Sequence, residues 1–180
     1  MSRFLPILLA TGALVAVSPV AIPIGEVPIT LQSAVVCFAG LTLGLGRTLV
    51  AVLLYLGLGA VGLPVFAGNT GGLDVVRGPT GGYLVGFAAA LPALGLGRLI
   101  FSDDRAVVQA SLAALFGHLA ILALGVFWLH EVLVWTWYRT LEAGLWPFLP
   151  GALGKSVLVG LLVAWVTRKG EPAPIKRRGR

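Results

Sequence analysis

The chain has 180 residues, 58% of them hydrophobic and only 11% charged, with a formal net charge of +6 and a mean hydropathy of +0.98. A soluble domain carries about 25% charged residues because its surface faces water; this composition excludes such a shell and requires an outer surface that faces lipid. The positive charge does not indicate nucleic acid, because Lys176, Arg177, Arg178 and Arg180 crowd the end of the chain behind Arg168 and Lys169, the usual mark of a cytoplasmic end after an apolar span.

A transmembrane helix needs about 20 mostly apolar residues. The first such run, Phe4 to Val20, follows Arg3; it is long for a signal-peptide core and is read as the first span. Ala21 to Pro28 (AIPIGEVP) holds two prolines and a glycine. Proline fixes φ and lacks an N–H, so an extended loop is predicted here. The second span is predicted over Ile29–Leu45 and the third over Thr48–Leu63, divided at Arg47. A polar, glycine-dense segment from Pro64 to Tyr83 comes next. The fourth span runs from Tyr83 to Ile100, the charged turn FSDDR ends at Arg105, and the fifth span covers Ala106–Leu129. His130 to Phe148 carries Trp135, Trp137, Trp146 and Tyr138, aromatics that suit the membrane–water interface. The sixth span is Leu149–Thr167, followed by a basic tail over 168–180.

This is the pattern of an all-α membrane protein with six transmembrane helices in a single integral membrane domain over 1–180. Lys and Arg set its orientation. With both ends inside, the inner face holds ten basic residues (Arg3, Arg47, Arg98, Arg105 and six in the tail) and the outer face three, Arg77, Arg139 and Lys155. The positive-inside rule therefore predicts an N-in, C-in topology, with the proline loop, the glycine loop and the aromatic segment together on the outer face.

Small residues punctuate the spans, among them Gly12 and Ala16, four apart in the first. Small faces let backbones approach in lipid, so this stripe serves either packing within the bundle or docking of the first helix against another subunit. Cys37 stands alone in an apolar run and can form neither an internal disulfide nor a metal site. His118 lies within the fifth span and His130 at its end, with no metal or nucleophile spacing around them. No metal site and no catalytic residue is expected.

The segment Pro64–Tyr83 is where function is expected. Six glycines (Gly68, Gly71, Gly72, Gly78, Gly81, Gly82) are interspersed with Phe66, Asn69, Thr70, Pro79 and Thr80. A loop so rich in glycine is either floppy or folded tightly around something, and the rigid and hydrogen-bonding residues favour the second. It is no phosphate-binding P-loop, since GNTGGLDVV lacks the lysine–hydroxyl ending. Arg77 is expected to pair with Asp74 at the surface, or else to supply positive charge to a ligand. Lys155, inside the sixth span, either snorkels to the interface or meets a ligand carboxylate or carbonyl.

The stretch LGAVGLPVFAGNTGGLDVVRGPTGGYLVGF, Leu58 to Phe87, resembles the signature of the BioY family, the biotin-binding substrate (S) components of energy-coupling-factor (ECF) transporters. IPIGEVPITLQ (Ile22–Gln32), FGHL (Phe116–Leu119) and FLPG…K (Phe148–Lys155) extend the resemblance over most of the chain. It implies an S-component-like bundle in a prokaryotic cell membrane, multi-pass, without enzymatic activity. It also implies biotin as transported ligand rather than cofactor, bound near the outer face, and partners comprising a membrane coupling subunit and two ATPase subunits. The residues expected at biotin are Asn69, Thr70, Gly71, Gly72, Gly78, Pro79, Thr80, Gly82, Tyr83 and Lys155, with Gln32, Phe66, Arg77 and His118 as further candidates and Gly12 and Ala16 at the partner contact. The family pattern places an Asp three residues before the lysine, where this chain has Ala152. Asn69 or a loop carbonyl is expected to take over as acceptor for the ureido N–H groups. Capture of another small vitamin, and a membrane assembly subunit that transports nothing, are the alternative readings.

Overall fold

The computed structural model describes residues 4–101 and 105–170. Arg3, the Ser102–Asp104 part of the charged turn and the basic tail beyond Gly170 lie outside the described residues. The chain is built almost wholly of helices: α1 (Leu5–Ala16), α2 (Gln32–Leu43), α3 (Leu45–Ala60), α4 (Leu73–Arg77), α5 (Gly81–Ile100), α6 (Ala106–Leu133), α7 (Trp137–Gly144) and α8 (Leu149–Gly170). Two strands of two residues each, β1 (Ala21–Ile22) and β2 (Ile29–Thr30), pair antiparallel between α1 and α2.

Three stretches are long and apolar enough to cross a membrane: α5, α6 and Trp137–Arg168, which takes in most of α8. The other apolar helices, α1, α2 and α3, are shorter than the predicted spans. At 12 residues α1 and α2 are each about 18 Å long, short of a hydrocarbon core of about 30 Å. Hydropathy overran the helices for local reasons. Pro19 follows the last turn of α1, and it cannot continue the helical hydrogen bonding. Ile29 and Thr30 are committed to β2, so α2 opens only at Gln32. A single residue, Gly44, joins α2 to α3 at φ 92°, a conformation that favours glycine. In the opposite direction, α6 runs on past Leu129 to Leu133, because His130–Leu133 contain no helix breaker; it stops where Val134 turns left-handed at φ 50°. The proline loop is thus a short hairpin, and the aromatic segment is the end of α6 followed by the short helix α7.

α5 and α6 pack most extensively against each other, and α8 lies against α6. Their approach depends on small residues. A Cβ on Gly82 would meet Trp128 and the Leu124 carbonyl, and one on Gly97 would stand 2.8 Å from Ala113 Cα. On α8, a Cβ on Gly160 would stand 2.6 Å from the Val107 carbonyl of α6. α1 packs on α3, and a polar contact fixes it: the buried Thr11 hydroxyl donates to the Ala51 carbonyl at 3.2 Å. Gly12 and Ala16 are exposed on α1, with nothing within 4 Å of a Cβ placed on Gly12, so Gly12 is not a packing contact between the described helices.

Candidate functional site

The glycine segment is a folded structure wrapped on its own aromatic anchor. Phe66 is 1% exposed. Its N–H donates to the Thr70 carbonyl at 2.9 Å, and its ring meets Tyr55 of α3 edge-on at 5.5 Å. Gly59 makes room for it, since a Cβ there would enter the Phe66 ring. The Gly72 N–H donates to the Gly59 carbonyl at 2.7 Å and the Gly68 N–H to the Ser18 carbonyl at 3.0 Å, so the loop is tied to both α3 and the end of α1. After α4, the Trp128 indole N–H of α6 donates to the Gly78 carbonyl at 3.0 Å, and the Thr80 hydroxyl donates to the Val75 carbonyl at 3.3 Å.

Beneath this cap lies a small, partly open cavity of about 70 Å³. Val27, Pro28 and Thr30 of the hairpin close one side and Ala67 and Thr80 the top. Tyr83, Leu84 and Phe87 of α5 and Ile121 and Leu122 of α6 form apolar walls, completed by Phe148 and Ala152. Tyr83 is a wall by its ring, because its hydroxyl already donates to the Gly144 carbonyl at 2.8 Å and the ring lies 5.9 Å from that of Phe148. Besides the hydroxyls of Thr30, Thr80 and Tyr83, the polar groups are Gln32, Ser33, His118 and Lys155. The Gln32 amide donates to the Tyr55 hydroxyl at 2.6 Å.

Lys155 does not snorkel. Its ammonium turns into the bundle, donating to the Ser33 hydroxyl at 2.7 Å and to the Thr30 carbonyl at 3.2 Å. No acidic side chain lines the inner cavity among the described residues. A half-buried ammonium without a counter-charge is costly, so the cavity is electrostatically prepared for an anion or a strong neutral acceptor.

A second, more open recess of about 440 Å³ adjoins the first and shares Pro28, Ala67, Thr80 and Leu84 with it. Its other walls include Phe66, Thr70, Gly78 and Pro79, with the exposed carboxylates of Glu26 and Asp74 at its edge. The two recesses together read as a chamber and its vestibule.

Of the residues expected at a ligand, Gln32, Thr80, Tyr83, His118 and Lys155 line the chamber, while Phe66, Thr70, Gly78 and Pro79 line the vestibule with Thr80. Asn69, Gly71, Gly72, Arg77 and Gly82 line neither. Asn69 is exposed at φ 58°. Gly71 sits against the Leu63 carbonyl and Gly82 against Trp128, both packing positions. Arg77 and Asp74 are exposed in the last and first turns of the short helix α4, and the ion pair expected between them is not formed; both side chains are exposed, where an ion pair gains little. Val27, Thr30, Ser33, Phe87, Ile121 and Leu122 escaped the sequence reading. They are ordinary apolar or small residues of helices and a hairpin, and nothing in their spacing marks them.

A model of the BioY family matches residues 2–171. The chain belongs to the BioY family. Among the family's members, it is 41% identical over 174 residues to a biotin transporter of Rhodobacter capsulatus, covering 88% of each chain. It is 38% identical over 156 residues to a biotin transporter of Lactococcus lactis, covering 84% of each. The fold agrees: the crystal structure of an S-component for biotin from an ECF-type ABC transporter superposes with a TM-score of 0.81 at 28% identity, over 92% of this chain and 90% of that one. The family resemblance carried by the GPTGGY block is therefore matched over nearly the whole chain and in three dimensions.

Proposed function

We propose that this chain is the biotin-capturing S component of an ECF transporter, and that biotin occupies the chamber beneath the glycine loop. The observation that carries the reading is a half-buried ammonium, Lys155, in a mostly apolar chamber that no acidic side chain lines among the described residues, in a BioY-family fold. Biotin presents an apolar bicycle to the walls of Tyr83, Phe87, Ile121 and Phe148, and a polar ureido group or carboxylate to Lys155. Thr80 borders both recesses and is placed to follow the ligand as it passes between them.

The same reading takes both chain ends as cytoplasmic and the chamber as open to the outer face, with α1, α2 and α3 completing six membrane-associated helices. On this reading its energising module comprises a membrane coupling subunit and two ATPases, and the exposed Gly12–Ala16 face of α1 is the surface we assign to the coupling subunit. The chain itself then binds and translocates, and the partners hydrolyse ATP.

Ligand co-purification followed by mass spectrometry tests the assignment directly, with titration of the ligand-free protein as its quantitative form. Bound biotin is the expected result. A well-folded sample that fails to bind biotin at micromolar concentration overturns it, and a different vitamin in the mass spectrum identifies the substrate instead.

A further inference from the structure

His118 lies in the middle of α6, lines the chamber and is 2% exposed. Its Nδ1 is 2.9 Å from the Ala114 carbonyl one turn earlier. A carbonyl only accepts, so Nδ1 carries the proton. A second contact agrees. Ser156 Oγ lies 3.1 Å from the same nitrogen while donating its own hydrogen to the Ala152 carbonyl at 2.7 Å, which leaves it a lone pair to offer the imidazole N–H. Cys37 Sγ is on this side too, 3.8 Å from Nδ1. The ring is thus clamped from α2, α6 and α8 by one edge, and its tautomer is fixed.

A neutral imidazole that donates through Nδ1 has a bare lone pair on Nε2. That atom is buried and has no hydrogen-bond partner. An unpaired buried acceptor is disfavoured unless a ligand or water supplies the donor. The chamber's other strong polar group is complementary. Lys155 has three ammonium protons, of which Ser33 and Thr30 engage two. The chamber therefore offers a fixed acceptor and a spare cationic donor, a pairing that suits a group with an N–H next to a C=O.

Resting on the assignment of biotin to this chamber, we propose that His118 Nε2 accepts a ureido N–H while Lys155 donates to the ureido oxygen, so that His118 is the residue that selects a cyclic urea. The ligand then enters ring first. The reverse orientation, with the carboxylate on Lys155, leaves Nε2 without a donor, because a carboxylate has none. Ala114 and Ser156 are positioning residues that hold the tautomer.

The test uses the purified full chain, with imidazole-¹⁵N histidine for NMR and calorimetry for affinity. The chain has 2 histidines, so His130→Gln assigns the His118 signals. In the ligand-free protein, His118 is expected to show a protonated Nδ1 and a bare Nε2, and saturating biotin is expected to move the Nε2 resonance upfield as it gains an N–H donor. In parallel, one of the two ureido N-methyl biotins is expected to bind about 10- to 100-fold more weakly than biotin, and that penalty is expected to shrink in His118→Leu, as a double-mutant cycle requires of a direct contact. Biotin amide, altered only at the carboxylate, is expected to bind within a few-fold of biotin. An Nε2 signal unmoved by bound biotin overturns the inference while leaving biotin capture standing; so does a water-bonded Nε2 that biotin does not disturb. If biotin does not bind at all, the functional assignment fails and takes this inference with it.

Discussion

Lys155 shows how one residue's meaning depends on where its long side chain ends. In a transmembrane helix an ammonium can reach the interface by snorkelling, and the sequence left that open. Here it turns inward to Ser33 and Thr30, 122 and 125 residues away in the chain. The group thereby stays poorly compensated, which is how a ligand contact can offset its burial. Lys155→Met is expected to weaken biotin binding by about 10- to 100-fold, the usual range for a hydrogen bond to a charged group, while thermal stability holds or rises because the buried charge is gone. Calorimetry and a melting curve on the same sample check both halves; equal loss of stability and affinity would mean the lysine is structural. Thr80, Tyr83 and Gln32 were legible in the sequence because they are polar or aromatic residues next to a glycine-rich block or a proline hairpin. The apolar walls were not, because spans that are hydrophobic all round give no periodicity to say which face is inside.

Among the helices, glycines that look alike in the sequence do two different jobs. Gly82 was a ligand candidate through its place in GPTGGY, yet it faces Trp128 and the Leu124 carbonyl across the α5–α6 contact. Gly12 belongs to a small-residue stripe of the same appearance, yet it faces nothing within the described chain. The two therefore predict opposite outcomes. Gly82→Val is expected to overpack α5 against α6, costing about 1–3 kcal/mol of stability, with weaker biotin binding only as the fold loosens. Gly12→Leu is expected to leave both melting temperature and biotin affinity unchanged and to block pull-down of the coupling subunit. Loss of biotin binding in Gly12→Leu would place that face inside the bundle and defeat its assignment as a docking surface. The loop over 64–72 makes the same point about elements. Its glycine content announced a tight fold, and what it folds around is Phe66, held by Gly59 and Tyr55 of a helix read only as a plain span.

At the scale of the whole molecule, charge and length speak to different questions. The described basic residues Arg47, Arg98, Arg105 and Arg168 sit at turns or near helix ends, and the N-in, C-in topology is the expectation that the positive-inside rule draws from such residues. A labelling experiment settles it. With Cys37 replaced by serine, a cysteine at Glu26 is expected to react with a membrane-impermeant maleimide in intact cells, and one at Arg47 only after permeabilisation. The reverse pattern inverts the topology and moves the chamber to the cytoplasmic face. Helix length adds a constraint that hydropathy hid: α1 and α2, at 12 residues each, are too short to span alone, whereas α6, at 28 residues and about 42 Å, exceeds the hydrocarbon core.

By itself the sequence determined that the chain lives in a membrane, the order of its apolar segments and breakers, and the family to which its glycine block belongs. These follow from composition and from local chemistry, which need no knowledge of what lies across the bundle. The tertiary structure alone decided that Lys155 turns inward, that Gly82 packs a helix while Gly12 faces outward, and that His118 presents a bare nitrogen within a wall it shares with Lys155. Each of those depends on partners distant in the chain, and in a segment hydrophobic on every face only the packing says which side looks into the chamber.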